Sequence, residues 1–141
     1  MGRYATADII YGFSSEGSGV NLIPCDDAGE PEYSIYDWER ALFQRVGKDY
    51  PGWEGCKTHP VMKESGCYMG THGYVEDCDE FVAVTASHLH GREDSSLIIN
   101  PLHFFRTVEM MADWDDKLKK FCGLMGIEYQ EPKWLMTCDY S

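Results

Sequence analysis

Glycine and proline residues between Lys48 and Asp79 constrain the fold of this chain more than any other feature of its sequence. Seven of them interrupt the segment so often that a long helix cannot form there, and their spacing favours turns around one short strand near residues 67–74. The seven are Pro51, Gly52, Gly55, Pro60, Gly66, Gly70 and Gly73. Long helices are therefore expected only outside this segment, whose shape must come from specific contacts.

Two amphipathic helices are predicted outside this segment, at residues 34–47 and 113–124. In both, apolar residues recur at spacings of three and four, which places them on one face of a helix. Ser34 or Asp37 is a candidate N-cap of the first helix and Asp113 of the second. The apolar stripes are Ile35, Trp38, Leu42, Phe43 and Val46 in the first helix, and Trp114, Leu118, Phe121, Cys122 and Met125 in the second.

Strands are predicted at residues 3–13, 80–88 and 133–139, where β-branched, aromatic and other apolar residues dominate. The middle one has apolar residues at successive positions, which is typical of a strand buried on both faces. A short apolar run covers residues 95–100, and residues 102–111 fit a helical turn and an extended chain equally well. With 141 residues, the chain is expected to form a single domain, residues 1–141. The predicted class is α+β: a single mixed or antiparallel sheet, two amphipathic helices and a long Gly/Cys/His-rich loop region.

Charge is the most informative compositional feature. The chain has 24 acidic and 12 basic residues, a net charge of −12, which argues against general binding to nucleic-acid phosphates. Two sets of acids stand out, at residues 26–39 and 76–80. If these two acidic sets share a face, they attract a protein with a basic groove, and neighbouring tyrosines would anchor the contact. The alternative is a solvated surface that maintains solubility. The candidate partner-binding residues are Asp26, Asp27, Glu30, Glu32, Tyr33, Tyr36, Glu76, Asp77, Asp79 and Glu80.

Cysteine and histidine in the Gly-rich segment suggest a structural zinc site. Four of five residues could close a tetrahedral site, because thiolate and imidazole are the ligands that zinc prefers. The five are Cys56, His59, Cys67, His72 and Cys78. The alternative is reduced cysteines packed under loops with histidines at the surface. No apolar leader precedes the first strand, so a reducing cytosol is expected, and no apolar run is long enough to span a membrane.

A second group of histidines could serve a metal-dependent hydrolase or a small-ligand site. His88 and His90 alternate along an extended segment and His103 follows, with a carboxylate ligand expected from Asp77, Asp79 or Glu80. Exposed loop histidines are the alternative. Arg92 and Arg106 are the first candidates to contact phosphates if the ligand is a nucleotide.

Other catalytic patterns are weak. Acidic neighbours at residues 76–80 oppose thiolate formation at Cys67 and Cys78. Ser14 and Ser95 lie in polar segments without a strand-to-helix elbow, and no glycine-rich phosphate loop is followed by lysine. A non-enzymatic function is therefore favoured, with no cofactor other than zinc in view.

Both ends of the chain resemble small accessory proteins encoded by tailed bacteriophages. The resembling segments are Tyr4-Ala5-Thr6-Ala7-Asp8-Ile9-Ile10-Tyr11-Gly12, Trp114-Asp115-x-x-Leu118-x-x-Phe121-Cys122-x-x-Met125-Gly126-Ile127, Pro132-x-Trp134-Leu135 and Tyr140. The resemblance implies a viral protein in the host cytoplasm that binds and inhibits a host defence or nucleic-acid-handling protein and acts there as a nucleic-acid mimic. It carries no catalytic residue over, and a minor virion component is a further alternative.

Overall fold

The computed structural model describes residues 5–16, 21–50, 59–74, 77–92 and 110–140. Within these ranges there are five strands: β1 (Ala5–Ser14), β2 (Cys67–Tyr74), β3 (Asp77–Val84), β4 (Leu89–Arg92) and β5 (Lys133–Tyr140). The same described residues contain three α-helices: α1 (Trp38–Arg45), α2 (Pro60–Ser65) and α3 (Met111–Met125). Short 3₁₀ turns occupy Ile35–Asp37 and Thr85–Ser87. The predicted apolar run at residues 95–100 and the ambiguous segment at residues 102–111 lie outside the described residues.

All five strands belong to one sheet in which β1 is central. One edge of β1 pairs with β5 along its length, and the other edge pairs first with β4 and then with β3. β2 and β3 form an antiparallel hairpin, and β2 meets β5 in parallel at a single position, Gly73 opposite Asp139. The pairing therefore closes through β1, β3, β2 and β5. The predicted α+β class with a single sheet is confirmed.

Alternation along β1 separates two buried clusters. Tyr11 and Phe13 face the helices and join the main core, whereas Ile10 faces the other way and packs with Phe81 and Ala83. Successive side chains of a strand point to opposite faces, so both faces of β1 are buried. Gly12 lies where β1 meets β3, and a Cβ there would be 1.9 Å from the carbonyl oxygen of Val82.

The helices pack on the first of these faces with most of the predicted stripe residues. Val46 is an exception, because it follows the last residue of α1 and is exposed. Every predicted stripe residue of α3 is buried, and Trp38, Leu42 and Phe43 of α1 are buried as well. α3 begins earlier than expected, after Met110, so Asp113 is an acid of the first turn and not the N-cap. α2 was not predicted. It is a single short helix that begins at Pro60, with the His59 side chain accepting a hydrogen bond from the Val61 amide.

The strand predicted at residues 80–88 is in fact the end of β3 followed by the 3₁₀ turn Thr85–Ser87. β3 ends at Val84, where Ser87 Oγ donates to the Val84 carbonyl at 2.6 Å and accepts from the Tyr11 amide at 2.9 Å. This hydroxyl replaces a strand partner for β1 at the turn. After the turn, the chain returns to β1 as β4, so His90 lies in a strand and not in a loop.

Candidate functional site

An exposed acidic loop, residues 24–32, precedes α1. The backbone of this loop is tightly folded, because Cys25 and Pro31 form an antiparallel β-bridge. The Asp26 carboxylate accepts hydrogen bonds from the amides of Ala28 and Glu30 at 2.9 and 3.0 Å. Short polar side chains that bond their own backbone in this way fix turns. Asp26 therefore shapes the acidic loop, and Asp27 and Glu30 are presented to solvent on a fixed backbone.

Tyr33 anchors the acidic loop to the core and is not an exposed contact residue, which corrects the prediction. Its ring is buried, its hydroxyl donates to the Met125 carbonyl at 3.1 Å, and the Arg45 guanidinium lies 4.9 Å from the ring centre. Burial raises the pKa of Tyr33 to about 12. Arg45 also pairs with Glu32 at 2.7 Å. Tyr36 is the exposed tyrosine here, with 81% of its surface accessible.

A depression of about 440 Å³ lies beside the acidic loop, and Glu80 of β3 lines it. The other lining residues are Asn21, Ile23, Pro31, Tyr33, Ser34 and Ile35. Glu80 Oε2 is buried and has no hydrogen-bond partner among the residues that the structure describes. The main chain of Glu80 is held in place, because its amide donates to Ser15 Oγ and its carbonyl accepts from the Ser15 amide. We call this feature the Glu80 depression.

The two predicted acidic sets meet only in part. Glu80 joins the acidic loop, but Asp79 is its neighbour on the strand and therefore points to the opposite face. Asp79 instead lies near Glu16 and His72, with one potential ligand atom from each residue within 4.8 Å of the others. Ser14 Oγ is 2.9 Å from His72 Nε2 in this second group. Glu76 and the side chain of Asp77 lie outside the described residues.

The predicted zinc set cannot hold one ion with both Cys67 and His72. The two residues are five positions apart on β2, so they lie on opposite faces of the sheet. Cys67 is buried, and burial raises the pKa of its thiol to about 12, which opposes the thiolate that zinc requires. His59 Nδ1 accepts the hydrogen bond that caps α2. Cys56 and the side chain of Cys78 lie outside the described residues.

His88 and His90 meet a carboxylate that the sequence analysis did not consider. His88 Nε2 and His90 Nδ1 lie 2.9 and 2.5 Å from the same oxygen, Oδ1 of Asp8. The carboxylate predicted from Asp77, Asp79 or Glu80 is thus supplied by β1. Asp8 is the one charged residue of β1, and this was the available signal. His103 and Arg106 lie outside the described residues, as does the side chain of Arg92.

The described cysteines that are buried are not reactive nucleophiles. Cys67 and Cys122 are free thiols in the core, and burial raises the pKa of Cys122 to about 12 as well. Cys25 and Cys138 are free and exposed. Cys122 is therefore a core residue of α3, as its position in the apolar stripe predicts.

Comparison with known proteins does not identify a relative in which this site could be examined. No helix among the described residues is both long enough and apolar enough to cross a membrane. Searches against protein-family models, curated proteins and solved structures found no match to this chain.

Proposed function

We propose that this protein binds a partner protein through the acidic loop and the Glu80 depression, with a lysine or arginine of the partner entering the depression. The observation that carries the proposal is the carboxylate of Glu80, which has a buried oxygen without a described partner. An unpaired buried charge is costly, and a hydrogen-bonded cation removes that cost. The depression is within the size range of ligand-binding clefts, and Ile23, Pro31 and Ile35 give it apolar walls for the methylene groups of such a side chain.

Charge around the depression supports a basic partner. Residues 21–39 carry six acids and no lysine or arginine. Asp27 and Glu30 are exposed, and no described cation forms an ion pair with either. Arg45 pairs with Glu32, so the net negative charge of this surface comes from the other acids. A negative surface of this kind accelerates encounter with a basic groove and rejects anionic ligands. Tyr36, which follows the acidic loop in the sequence and is exposed, would supply an aromatic contact.

The biological setting is part of the same proposal. The resemblance of both chain ends to phage accessory proteins supports a non-enzymatic protein that inhibits a host defence or nucleic-acid-handling protein in the host cytoplasm. In that role the acidic surface would act as a nucleic-acid mimic, and added DNA would compete for the partner's groove.

The test compares Glu80→Gln with Asp79→Asn in pull-downs from bacterial lysate at low and moderate salt. Both variants remove one negative charge from adjacent residues that point to opposite faces. We expect Glu80→Gln to recover at least tenfold less of the captured protein, and Asp79→Asn to match the wild type, with DNA competing. Equal recovery by Glu80→Gln, or capture of a protein that DNA does not displace, contradicts the proposal.

Charge reversal tests the acidic loop in the same assay. The double variant Asp27→Lys/Glu30→Lys is expected to lose binding most clearly at low salt, where steering is least screened. Glu64→Lys/Glu131→Lys has the same net charge and changes exposed acids elsewhere, so it serves as the matched control. If both double variants weaken binding equally, net charge and not the acidic loop determines it.

A further inference from the structure

Strand pairing brings Asp8, His88 and His90 together, and we infer that these three residues bind a divalent transition-metal ion of the zinc class. Asp8 on β1 stands directly opposite His90 on β4, so both side chains project from the same face. His88 is two residues before His90, at the end of the Thr85–Ser87 turn, and reaches the same carboxylate. We call this group the Asp8 site.

The distances suit an ion that enters between the three side chains. Both imidazole nitrogens already converge on Oδ1 of Asp8, at 2.9 and 2.5 Å, and the three potential ligand atoms lie within 4.8 Å of one another. A tetrahedral zinc ion with bonds of about 2.0 to 2.2 Å holds its ligand atoms roughly 3.3 Å apart. Each His–Asp distance would have to open by less than about 1 Å, which rotation of exposed imidazole rings can supply.

The ligand chemistry selects the class of ion. Two imidazoles and one carboxylate form the set found at open zinc sites and at non-haem iron sites, whereas magnesium and calcium prefer oxygen ligands alone. The side chains of His88 and His90 are 40% and 45% exposed, and that of Asp8 is 22% exposed. Solvent can therefore fill the coordination positions that the three residues leave.

The Asp8 site is independent of the proposed protein-binding surface. Asp8 and Ser14 are an even number of residues apart on β1 and share a face, and Ser14 stands opposite Phe81. Glu80 is the neighbour of Phe81 and so points to the other face. Loss of metal binding and loss of partner binding can therefore be measured separately, with Glu80→Gln expected to bind metal like the wild type.

The experiment titrates purified full-length protein with Co²⁺, followed by optical absorption, and with Zn²⁺, followed by calorimetry. We expect about one equivalent to bind, with cobalt d–d bands but no thiolate charge-transfer band, and a higher melting temperature in the presence of Zn²⁺. His90→Ala, His88→Ala and Asp8→Asn should each bind at least tenfold more weakly. Melting of each variant without metal shows that it is folded.

His72→Ala is the matched control, because His72 belongs to the second group, with Glu16 and Asp79. It should bind the ion like the wild type. Three results would overturn the inference: no binding of either ion, a thiolate charge-transfer band that places the ion on cysteine, or loss of binding in His72→Ala with retention in His90→Ala.

Discussion

The side chain of Tyr11 on β1 joins the sheet to α3 through a hydrogen bond. Its ring is buried between Trp114 and Trp134, at centroid distances of 5.7 and 5.4 Å, and its hydroxyl donates to Asp115 Oδ1 at 2.7 Å. Burial, and then the hydrogen bond to Asp115, raise the pKa of Tyr11 above its ordinary range. The hydroxyl is therefore a neutral hydrogen-bond donor at neutral pH.

Removal of this hydroxyl is the test of its contribution. Tyr11→Phe keeps the ring and deletes the donor to a carboxylate, so we expect the free energy of unfolding to fall by about 1 to 2 kcal/mol. Chemical denaturation at neutral pH measures the change. Tyr36→Phe, at an exposed tyrosine, should leave stability unchanged. A Tyr11→Phe protein as stable as the wild type would show that solvent replaces the bond at no cost.

Helix α3 shows how well local sequence patterns predict a helix. Its stripe of Trp114, Leu118 and Phe121 is buried as predicted, and the predicted helix differs from Met111–Met125 by two residues at one end and one at the other. The end is set by Gly126, which adopts φ 72° and donates its amide to the Cys122 carbonyl. Periodicity and a terminal glycine are local signals, so the sequence contains them.

Two glycines at the end of α3 should respond to alanine in opposite directions. Gly123 lies within the helix and a Cβ there meets nothing within 4 Å, so Gly123→Ala should raise the free energy of unfolding by about 0.5 to 1 kcal/mol. Gly126 has positive φ and a Cβ there would lie 3.1 Å from Pro24, so Gly126→Ala should lower it by about 1 kcal/mol. Denaturant midpoints measure both, and shifts of the same sign would contradict this account of the cap.

The sequence alone did not predict which residues of different strands and loops contact one another. Asp8 meets His88 and His90 only because β4 returns to β1 after the Thr85–Ser87 turn, and Glu80 reaches the acidic loop only through the face it takes on β3. A shift of one residue in either register would exchange the faces. Composition predicted the acidity and the exposed loop, but pairing across about 80 residues decided which carboxylates form a site.

Buried thiol and phenol groups are expected to make the free energy of unfolding of the protein decrease at alkaline pH. Burial raises the pKa of Cys67 and of Cys122 from 9.0 to about 12, and that of Tyr68 from 10.0 to about 12. Above pH 9 the unfolded chain releases protons that the folded chain retains, so the unfolded state binds fewer protons and stability falls as pH rises. This stabilisation is complete below pH 9 and is lost progressively towards pH 12.

Urea denaturation at pH 8 and pH 10 measures the effect. Each buried cysteine is expected to lower the free energy of unfolding by about 1.4 kcal/mol at pH 10, one unit above its unfolded pKa. Cys122→Ala lowers stability at both pH values because it leaves a cavity, but its loss between them should be smaller than that of the wild type. Cys138→Ala, at an exposed thiol, should lose as much as the wild type. An identical loss in Cys122→Ala and the wild type would mean that the Cys122 thiol ionises in the folded protein as it does in the unfolded chain.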